Sequence, residues 1–316
     1  MAMGFSESEV IALLQKIFAT SDPRVIVGIG DDAAVVRGNP QQVITTDMAV
    51  QGVHFRLDWS SAFDIGRKIA AANIADVLSM GAQCDYLVVA LSLTGNEELA
   101  WIEDLAKGVK YEADHAGAHI VGGDLARSSV ITIAITAVGD CKKPILRSGA
   151  QVGDAIYLSS LTGWSAAGYY ILSKKSKFHS SALSDGALAS SSAAALAIKE
   201  FHAPSIDYSI DFSAATSMCD ISDSLITQGE QMALASGVQF YFDVERFESA
   251  PEFGELSSLA HSVGADVWSW VVGGGEDHAL LATGRNMPGI KVGEVVAGSG
   301  ISGIDKKMAP DTWSHF

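Results

Sequence analysis

The sequence has few cysteines and no long apolar run. Its 316 residues include three cysteines, Cys84, Cys141 and Cys219, which are far apart and form no Cys-x-x-Cys pair. This spacing excludes a disulfide framework or a zinc site, and it fits a reducing, cytoplasmic location. Since no uninterrupted apolar stretch reaches the roughly 18 residues that a membrane span needs, we expect no membrane segment.

Basic residues are also scarce, with 21 Lys and Arg against 37 Asp and Glu and a formal net charge of -16. Because nucleic-acid phosphates need a basic surface, we expect no nucleic-acid partner. The N-terminus lacks a basic segment followed by an apolar core, so we expect no signal peptide. Ser6 and Glu9 form a capping box there, which predicts the start of an amphipathic helix. The acidic excess serves solubility, or else some carboxylates bind cations.

Several common catalytic signatures are missing. The chain has no G-x-x-x-x-G-K-[ST], which excludes a P-loop nucleotide site. It has no G-x-S-x-G elbow and no H-E-x-x-H, the signatures of common hydrolases. The pattern Gly28-Ile-Gly30-Asp-Asp-Ala33 matches a dinucleotide fingerprint, but Asp31 and Asp32 would face a pyrophosphate without a compensating cation. We therefore disfavour dinucleotide binding.

Apolar, β-branched runs alternate with helical stretches along the chain. The predicted strands are Arg24–Ile29, Gln42–Thr46, Asp85–Leu93, His119–Val121, Val130–Val138, Asp154–Ser159, Val238–Val244, Gly289–Val296 and one around Val271. The predicted helices are Phe63–Met80, Glu97–Ala116 and Ser165–Ser173, and 176–197 is a predicted surface loop leading into a helix. The pattern favours an α+β or α/β chain of two domains, 1–147 and 148–316.

Acidic residues follow apolar runs at six places, often beside glycine. They are Asp31 and Asp32 in GIGDD, Asp47 in TTD, Asp76 in NIAD, Asp124 in GGD, Asp220 and Asp223 in CDISD, and Glu276 and Asp277 in GGGED. At any one place a helix cap or a turn explains such a residue. Six places in one chain favour a shared role, in which carboxylates hold several Mg²⁺ ions around a triphosphate.

Two further patterns support a phosphate site. Asn73 and Asp76 are three residues apart on a predicted helix, so they share a face and could point at one metal or water. The glycines of 122–123 and 273–275 would let backbone N–H groups approach anionic oxygens without a Cβ in the way.

Together these motifs resemble the thiamine-monophosphate kinases of the aminoimidazole-ribonucleotide synthetase-like (PurM-like) superfamily. The segments that carry the resemblance are, in order, GIGDDAAVV, TTDMAVQGVHF, NIADVLSMGA, VGGDLARSS, LRSGAQVGD, CDISDSL, GGGEDHALL and WSHF. The resemblance implies an N-terminal mixed sheet that pairs across a homodimer and a C-terminal α/β domain. It also implies direct, Mg²⁺-assisted in-line transfer from ATP to thiamine monophosphate.

The resemblance also implies roles, position by position. The implied magnesium ligands are Asp32, Thr45, Thr46, Asp47, Asp76, Asp124, Asp220 and Asp223. The implied ATP contacts are Gly123, Asp124, Arg147 and Ser222, and the implied catalytic residues are Asp76, Asp220, Asp223 and Arg147. The implied contacts to thiamine monophosphate are His54, Glu276 and Trp313.

The chain departs from the family pattern at three places. Leu125 and Ala126 follow Gly-Gly-Asp where the family often has two threonines, Ser224 replaces a glycine, and Pro204 begins Pro-Ser-Ile-Asp in place of Pro-x-Pro-Arg. These changes bear on ATP affinity and loop shape. Two alternatives therefore stay open: another ATP-dependent enzyme of the superfamily, or a non-catalytic nucleotide- or metal-binding scaffold.

Overall fold

The computed structural model describes residues 7–29, 34–38, 41–177 and 192–305. Asp31, Asp32 and Trp313, together with Ser6 of the predicted capping box, lie outside the described residues. The chain divides into two compact units, residues 1–144 and 145–316, and each has a main sheet of its own. No helix in the described ranges is both long enough and apolar enough to cross a membrane.

The first unit is a four-stranded sheet with two long helices. Its elements are α1 (Glu7–Ile17), β1 (Val25–Val27), β2 (Val35–Val36), β3 (Gln42–Val50), α2 (Ala62–Ser79), β4 (Gln83–Leu93), α3 (Leu99–Ala116), β5 (His119–Arg127) and β6 (Thr132–Asp140). The sheet order is β3-β6-β4-β5, with β4 and β5 parallel and the other pairs antiparallel. The predicted mixed sheet is thus confirmed.

Helices α2 and α3 pack closely because glycine lies at their contact. A Cβ at Gly66 would lie 2.2 Å from the Leu105 carbonyl oxygen, and one at Gly108 would lie 2.0 Å from that of Phe63. The α2 helix begins at Ser61, whose hydroxyl accepts from the backbone N–H of Asp64. The two helices contact β3, β4, β5 and β6, and the Asp76 side chain of α2 meets β3 on this face of the sheet.

The second unit has a larger sheet with helices around it. Its elements are β7 (Ala155–Leu158), α4 (Trp164–Lys177), α5 (Ser192–His202), β8 (Ser217–Asp220), α6 (Leu225–Ser236), β9 (Gln239–Phe242), α7 (Val244–Glu248), α8 (Phe253–Val263), α9 (Val267–Gly273), β10 (Leu280–Gly284), β11 (Ile290–Val296) and β12 (Gly300–Ser302). The sheet order is β12-β9-β11-β7-β10-β8, antiparallel except for the pair β12 and β9. Its core includes the buried rings of Phe240, Phe242 and Phe247.

The structure corrects three element predictions. The strand predicted around Val271 is wrong, because that residue lies in α9, where Trp270 and Val272 are also buried. A short apolar run that is fully buried has the same pattern in a helix and in a strand. The β5 strand continues to Arg127, so the Gly-Gly-Asp motif lies within it. Both ends of the predicted loop 176–197 are helical, and 178–191 lies outside the described residues.

Candidate active site

The predicted site residues fall into two groups, one in each unit, and each group is described by itself. In the second unit, the segment 220–224 connects β8 to α6. Asp220 is the last residue of β8, opposite Leu280 of β10. Ser224 caps α6, since its hydroxyl accepts from the backbone N–H of Thr227 at 3.1 Å. The φ of Ser224 is −176°, which is extended backbone that any residue adopts, so a serine here causes no strain.

The Gly-Gly-Gly-Glu-Asp-His segment (273–278) packs against this connection through its backbone. The N–H of Glu276 donates to the Ser222 carbonyl at 2.7 Å, and the N–H of His278 donates to the Ile221 carbonyl at 2.9 Å. A Cβ at Gly275 would lie 2.5 Å from the carbonyl oxygens of both Ser222 and Asp223. Gly275 is therefore needed for this close approach.

Two residues of the same segment have a backbone conformation that is rare outside glycine. Glu276 has a φ of 63° and His278 a φ of 50°, both in the left-handed region. Such conformations cost free energy and occur most often at functional sites. Glu276, which the resemblance implies as a contact to thiamine monophosphate, is therefore one of the residues with this rare backbone conformation.

His278 was missed by the sequence interpretation and proves to be part of this group. Its Nδ1 lies 3.0 Å from Oδ2 of Asp220, and both side chains are buried. The histidine thus supplies a hydrogen-bond partner for a carboxylate that is otherwise costly to bury. The signal available in the sequence was its position directly after GGGED.

Gln228 was also missed. This residue lies in the first turns of α6 and is buried. Its side-chain oxygen accepts from the backbone N–H of Ser224 at 2.9 Å. Its amide nitrogen lies 3.3 Å from both the Ser222 hydroxyl and Oδ2 of Asp223. A single side chain therefore joins the helix to two implied site residues, Ser222 and Asp223, and to Ser224, the N-cap.

Asp277 has a different role from its neighbours. Its two carboxylate oxygens accept from the backbone N–H groups of Gly163 at 2.8 Å and Ser165 at 3.0 Å, at the start of α4. Loss of water around the carboxyl raises its pKa to about 6, although these two donors act in the opposite direction. Capping of the start of α4 is therefore sufficient to explain an acidic residue at position 277.

Arg147, an implied ATP contact, lies at the start of the second unit with an exposed side chain. Its Nη1 donates to Oε1 of Gln231 on α6 at 2.6 Å. The hydroxyl of Ser236, at the end of the same helix, accepts from the backbone N–H groups of Gly149 and Ala150. One helix thus orients both the Arg147 segment and the connection that follows β8.

In the first unit, β3 and α2 hold the second group of carboxylates. The hydroxyl of Thr45 donates to Oδ2 of Asp76 at 2.8 Å. The backbone N–H of Asp47 donates to Oδ1 of the buried Asn73 at 2.9 Å. The structure therefore brings Thr45, Asp47 and Asp76 together, as expected from their motifs. The Oδ1 of Asn73 positions the β3 backbone, which differs from the predicted role as a partner of metal or water.

Thr46 and Asp124 lie on the other face of this sheet. Asp124 pairs with Ala90 of β4, whereas Asp47 lies in the neighbouring row of the sheet, which contains Val89 of β4. Successive residues of a strand point to opposite faces. The Thr46 hydroxyl donates to the Ile135 carbonyl and accepts from Thr136. Because β3 and β5 are the two edges of the sheet, about 14 Å separates them. Within one chain, Asp47 and Asp124 therefore cannot hold the same ion.

The two glycines before Asp124 differ in their surroundings. A Cβ at Gly123 would lie 2.1 Å from the Val89 carbonyl oxygen, so strand packing itself requires this glycine. A Cβ at Gly122 would meet no atom within 4 Å. Within one chain, Gly122 therefore has no packing reason to be glycine.

His54, an implied substrate contact, lies in the turn after β3. Its Nδ1 accepts from the backbone N–H of Val50 at 3.1 Å. This bond requires the ring to carry its proton on Nε2 when it is neutral. The turn holds the ring half-buried, and its implied role stays a prediction.

The donor set fits Mg²⁺, because the implied ligands offer carboxylate and hydroxyl oxygens and no sulfur or imidazole. Among residues 7–29, 34–38, 41–177 and 192–305, no three His, Cys, Asp or Glu side chains lie close enough to hold a metal ion together. Asp32 lies outside these ranges. The assignment of ligands to ions stays a prediction.

Comparison with known proteins agrees with these motifs. Residues 30–141 match the family model described as AIR synthase related protein, N-terminal domain. The thiamine-monophosphate kinase of Mycobacterium tuberculosis is 37% identical over 266 residues, which cover 82% of this chain and 74% of that protein.

Solved structures show the same fold over nearly the whole chain. A crystal structure of thiamine-monophosphate kinase from Stenotrophomonas maltophilia matches with a TM-score of 0.75 at 25% identity, covering 95% of this chain and 96% of that one. A structure of AaThiL complexed with AMPPCP and TMP matches with a TM-score of 0.76 at 26% identity, covering 98% and 97%. These matches confirm the predicted PurM-like fold, and the chain belongs to the thiamine-monophosphate kinase family.

Proposed function

We propose that this chain transfers the γ-phosphoryl group of ATP directly to the phosphate of thiamine monophosphate, which gives thiamine diphosphate and ADP. The observation that carries the proposal is the Asp-Ile-Ser-Asp connection, in which the buried Asp220 is held by His278 and Asp223 by Gln228. The relative complexed with AMPPCP and TMP supports the same pair of substrates.

The acceptor needs little activation. The second pKa of a phosphate monoester is about 6, so the phosphate of thiamine monophosphate is mostly dianionic at neutral pH. A general base is therefore not required. The main barrier is the repulsion between two polyanions that must be aligned in line. Arg147 would supply a fixed positive charge, held by Gln231.

The remaining residues would bind and orient the substrates. The residues that would hold Mg²⁺ are Asp32, Thr45, Thr46, Asp47, Asp76, Asp124, Asp220 and Asp223. When bound, Mg²⁺ offsets phosphate charge and aligns the phosphate groups. Gly123, Asp124, Arg147 and Ser222 would contact ATP, and His54, Glu276 and Trp313 would contact thiamine monophosphate. Since Asp47 and Asp124 lie on opposite edges of one sheet, they would serve different ions within one chain.

A homodimer is part of this proposal. The sheet face opposite α2 and α3 carries exposed apolar side chains, with Ile44 66% and Met48 58% exposed. Val88 of β4 lies on the same face, opposite Thr136 and Thr46 in the register. Exposed apolar area of this kind marks association surfaces. We assign it to a second copy of the chain, as the resemblance implies. Light scattering would test this, since Met48→Glu should give a monomer if the assignment is correct.

The buried, free thiols of Cys84, Cys141 and Cys219 support a cytoplasmic location, where such cysteines stay reduced. Fractionation of cells that express the tagged protein would test this location. Recovery with the cytoplasmic fraction is expected, and recovery with membranes would contradict it.

A coupled assay of ADP release tests the proposed reaction. ADP should be released with ATP, Mg²⁺ and thiamine monophosphate, and release should fall to background with thiamine or with no acceptor. Release with thiamine alone would indicate a thiamine kinase, and no release with any acceptor would favour the scaffold alternative. In a single turnover with γ-labelled ATP, label on the protein would refute direct transfer.

A further inference from the structure

We infer that Gln228 is a positioning residue of the phosphoryl-transfer site, which fixes Ser222 and Asp223 in the arrangement that ATP and its cations require. The inference rests on the proposed function and extends it to a residue for which neither the motifs nor the comparisons suggested a role. Gln228 lies on a helix, touches no reacting atom and acts through its neighbours.

The orientation of the Gln228 amide follows from its partners. The backbone N–H of Ser224 can only donate a hydrogen bond, so the atom that faces it at 2.9 Å is the side-chain oxygen. The NH₂ group must then face the Ser222 hydroxyl and Oδ2 of Asp223, each 3.3 Å away. Each end of the amide thus has a partner that suits its chemistry.

Burial makes this arrangement firm. Gln228 is 2% exposed and Ser224 is fully buried, so water does not compete freely for these hydrogen bonds. Ser224 is also fixed by its bond to the backbone of Thr227. Side chains that orient the ligands of a cation typically change metal affinity or activity by about 10- to 100-fold when they are replaced. Gln228 has this relationship to Asp223, an implied magnesium ligand.

Replacing the amide by a carboxylate separates its two functions, which are to accept a hydrogen bond from Ser224 and to donate hydrogen bonds to Ser222 and Asp223. Gln228→Glu keeps an acceptor for the Ser224 N–H, but it removes the donor and places a second negative charge beside Asp223. Gln228→Met keeps the length of the side chain and removes both functions. A matched control is Leu234→Gln, because Leu234 lies on the same helix and is 74% exposed.

The test measures kcat, KM for ATP and the half-saturating Mg²⁺ concentration for each variant, together with its melting temperature. We expect kcat/KM for ATP to fall about 10- to 100-fold in both Gln228 variants. The half-saturating Mg²⁺ concentration should shift in Gln228→Glu, and Leu234→Gln should match the wild type. Calorimetric titration with AMPPCP and Mg²⁺ gives a second measurement that does not depend on turnover.

The possible outcomes are distinct. Folded Gln228 variants with wild-type kinetics and wild-type AMPPCP binding would overturn the inference. Unfolding of both variants would also overturn it, since Gln228 would then be a purely structural residue. A wild-type protein that binds AMPPCP and Mg²⁺ but phosphorylates nothing would refute the proposed function instead, and the calorimetric comparison would still decide the role of Gln228.

Discussion

The imidazole Nδ1 of His278 lies 3.0 Å from Oδ2 of Asp220, and the two side chains are 8% and 4% exposed. This pair joins two motifs that are 58 residues apart in the sequence. Asp220 ends a strand, while His278 follows the glycine-rich segment that packs on the residues after it. The contact therefore holds an implied magnesium ligand in one orientation.

Removal of the imidazole should weaken both stability and turnover. His278→Ala takes a hydrogen bond from a buried carboxylate, a loss that typically costs about 1–3 kcal/mol of unfolding free energy. Urea unfolding would measure this cost, and steady-state kinetics would measure the fall in kcat. His261→Ala is a suitable control, since His261 is an exposed histidine in the same unit. Equal stability and turnover for His278→Ala and the control would contradict the role assigned to His278.

The adjacent glycines of β5 should respond differently to the same substitution. Gly123→Ala forces a Cβ to within 2.1 Å of a carbonyl oxygen on β4, so the strands must separate. Overpacking of this kind typically costs about 1–3 kcal/mol. Gly122→Ala has open space around the new methyl group within its own chain, so it should cost the fold of that chain little stability. Thermal unfolding of both variants decides this, and a Gly123→Ala protein as stable as Gly122→Ala would contradict the requirement for glycine at position 123.

Ser224 should stabilise α6 as its N-cap. Replacement of a serine cap by alanine typically costs about 1 kcal/mol, whereas replacement by glycine costs only a few tenths. Ser224→Gly restores the residue that the resemblance implies at this position. Urea unfolding should rank the proteins as wild type, then Ser224→Gly, then Ser224→Ala. If Ser224→Ala were as stable as the wild type, the assignment of Ser224 as the N-cap of α6 would be contradicted.

The Asp277 carboxyl should make the free energy of unfolding depend on pH. Its pKa is raised from 3.8 to about 6, so the folded protein binds a proton here at a pH where the unfolded chain does not. Between about pH 4 and pH 6, acidification therefore favours the folded state through this group, and this contribution is lost as the pH rises through 6.

The comparison with Asp277→Asn isolates that contribution. The unfolding free energy of the wild type minus that of the variant should decrease between about pH 4 and about pH 6, the two pKa values of the carboxyl, and then level off. Urea unfolding at several pH values measures the difference. A difference that stays constant over this range would mean that the Asp277 carboxyl titrates alike in the folded and unfolded chains.

Part of the site was predictable from the sequence because its signals are local. The position of Asp220 directly after an apolar run singled it out, although no strand was predicted over Ser217–Asp220. The helical spacing of Asn73 and Asp76 places them on α2. The sequence also indicates that Thr45 and Thr46 lie on opposite faces of the sheet, since successive residues of a strand point to opposite faces.

Other features depend on contacts that no local pattern encodes. Gln228 and His278 are common residue types, and their roles arise only when α6 and the segment 273–278 fold against the connection after β8. The length of β5 is set by its partner β4, which pairs with it as far as Arg127. Val271 was assigned to a strand because burial on all sides removes the periodicity that distinguishes a helix.

The most direct test of the account is the formation of thiamine diphosphate by the purified protein from ATP, Mg²⁺ and thiamine monophosphate, compared with Asp220→Asn. The asparagine has nearly the same shape but no negative charge for a cation. The account predicts stoichiometric thiamine diphosphate and ADP from the wild type, and no product from a variant that is folded by circular dichroism. Full turnover by Asp220→Asn, or ADP release by the wild type without thiamine diphosphate, would contradict it.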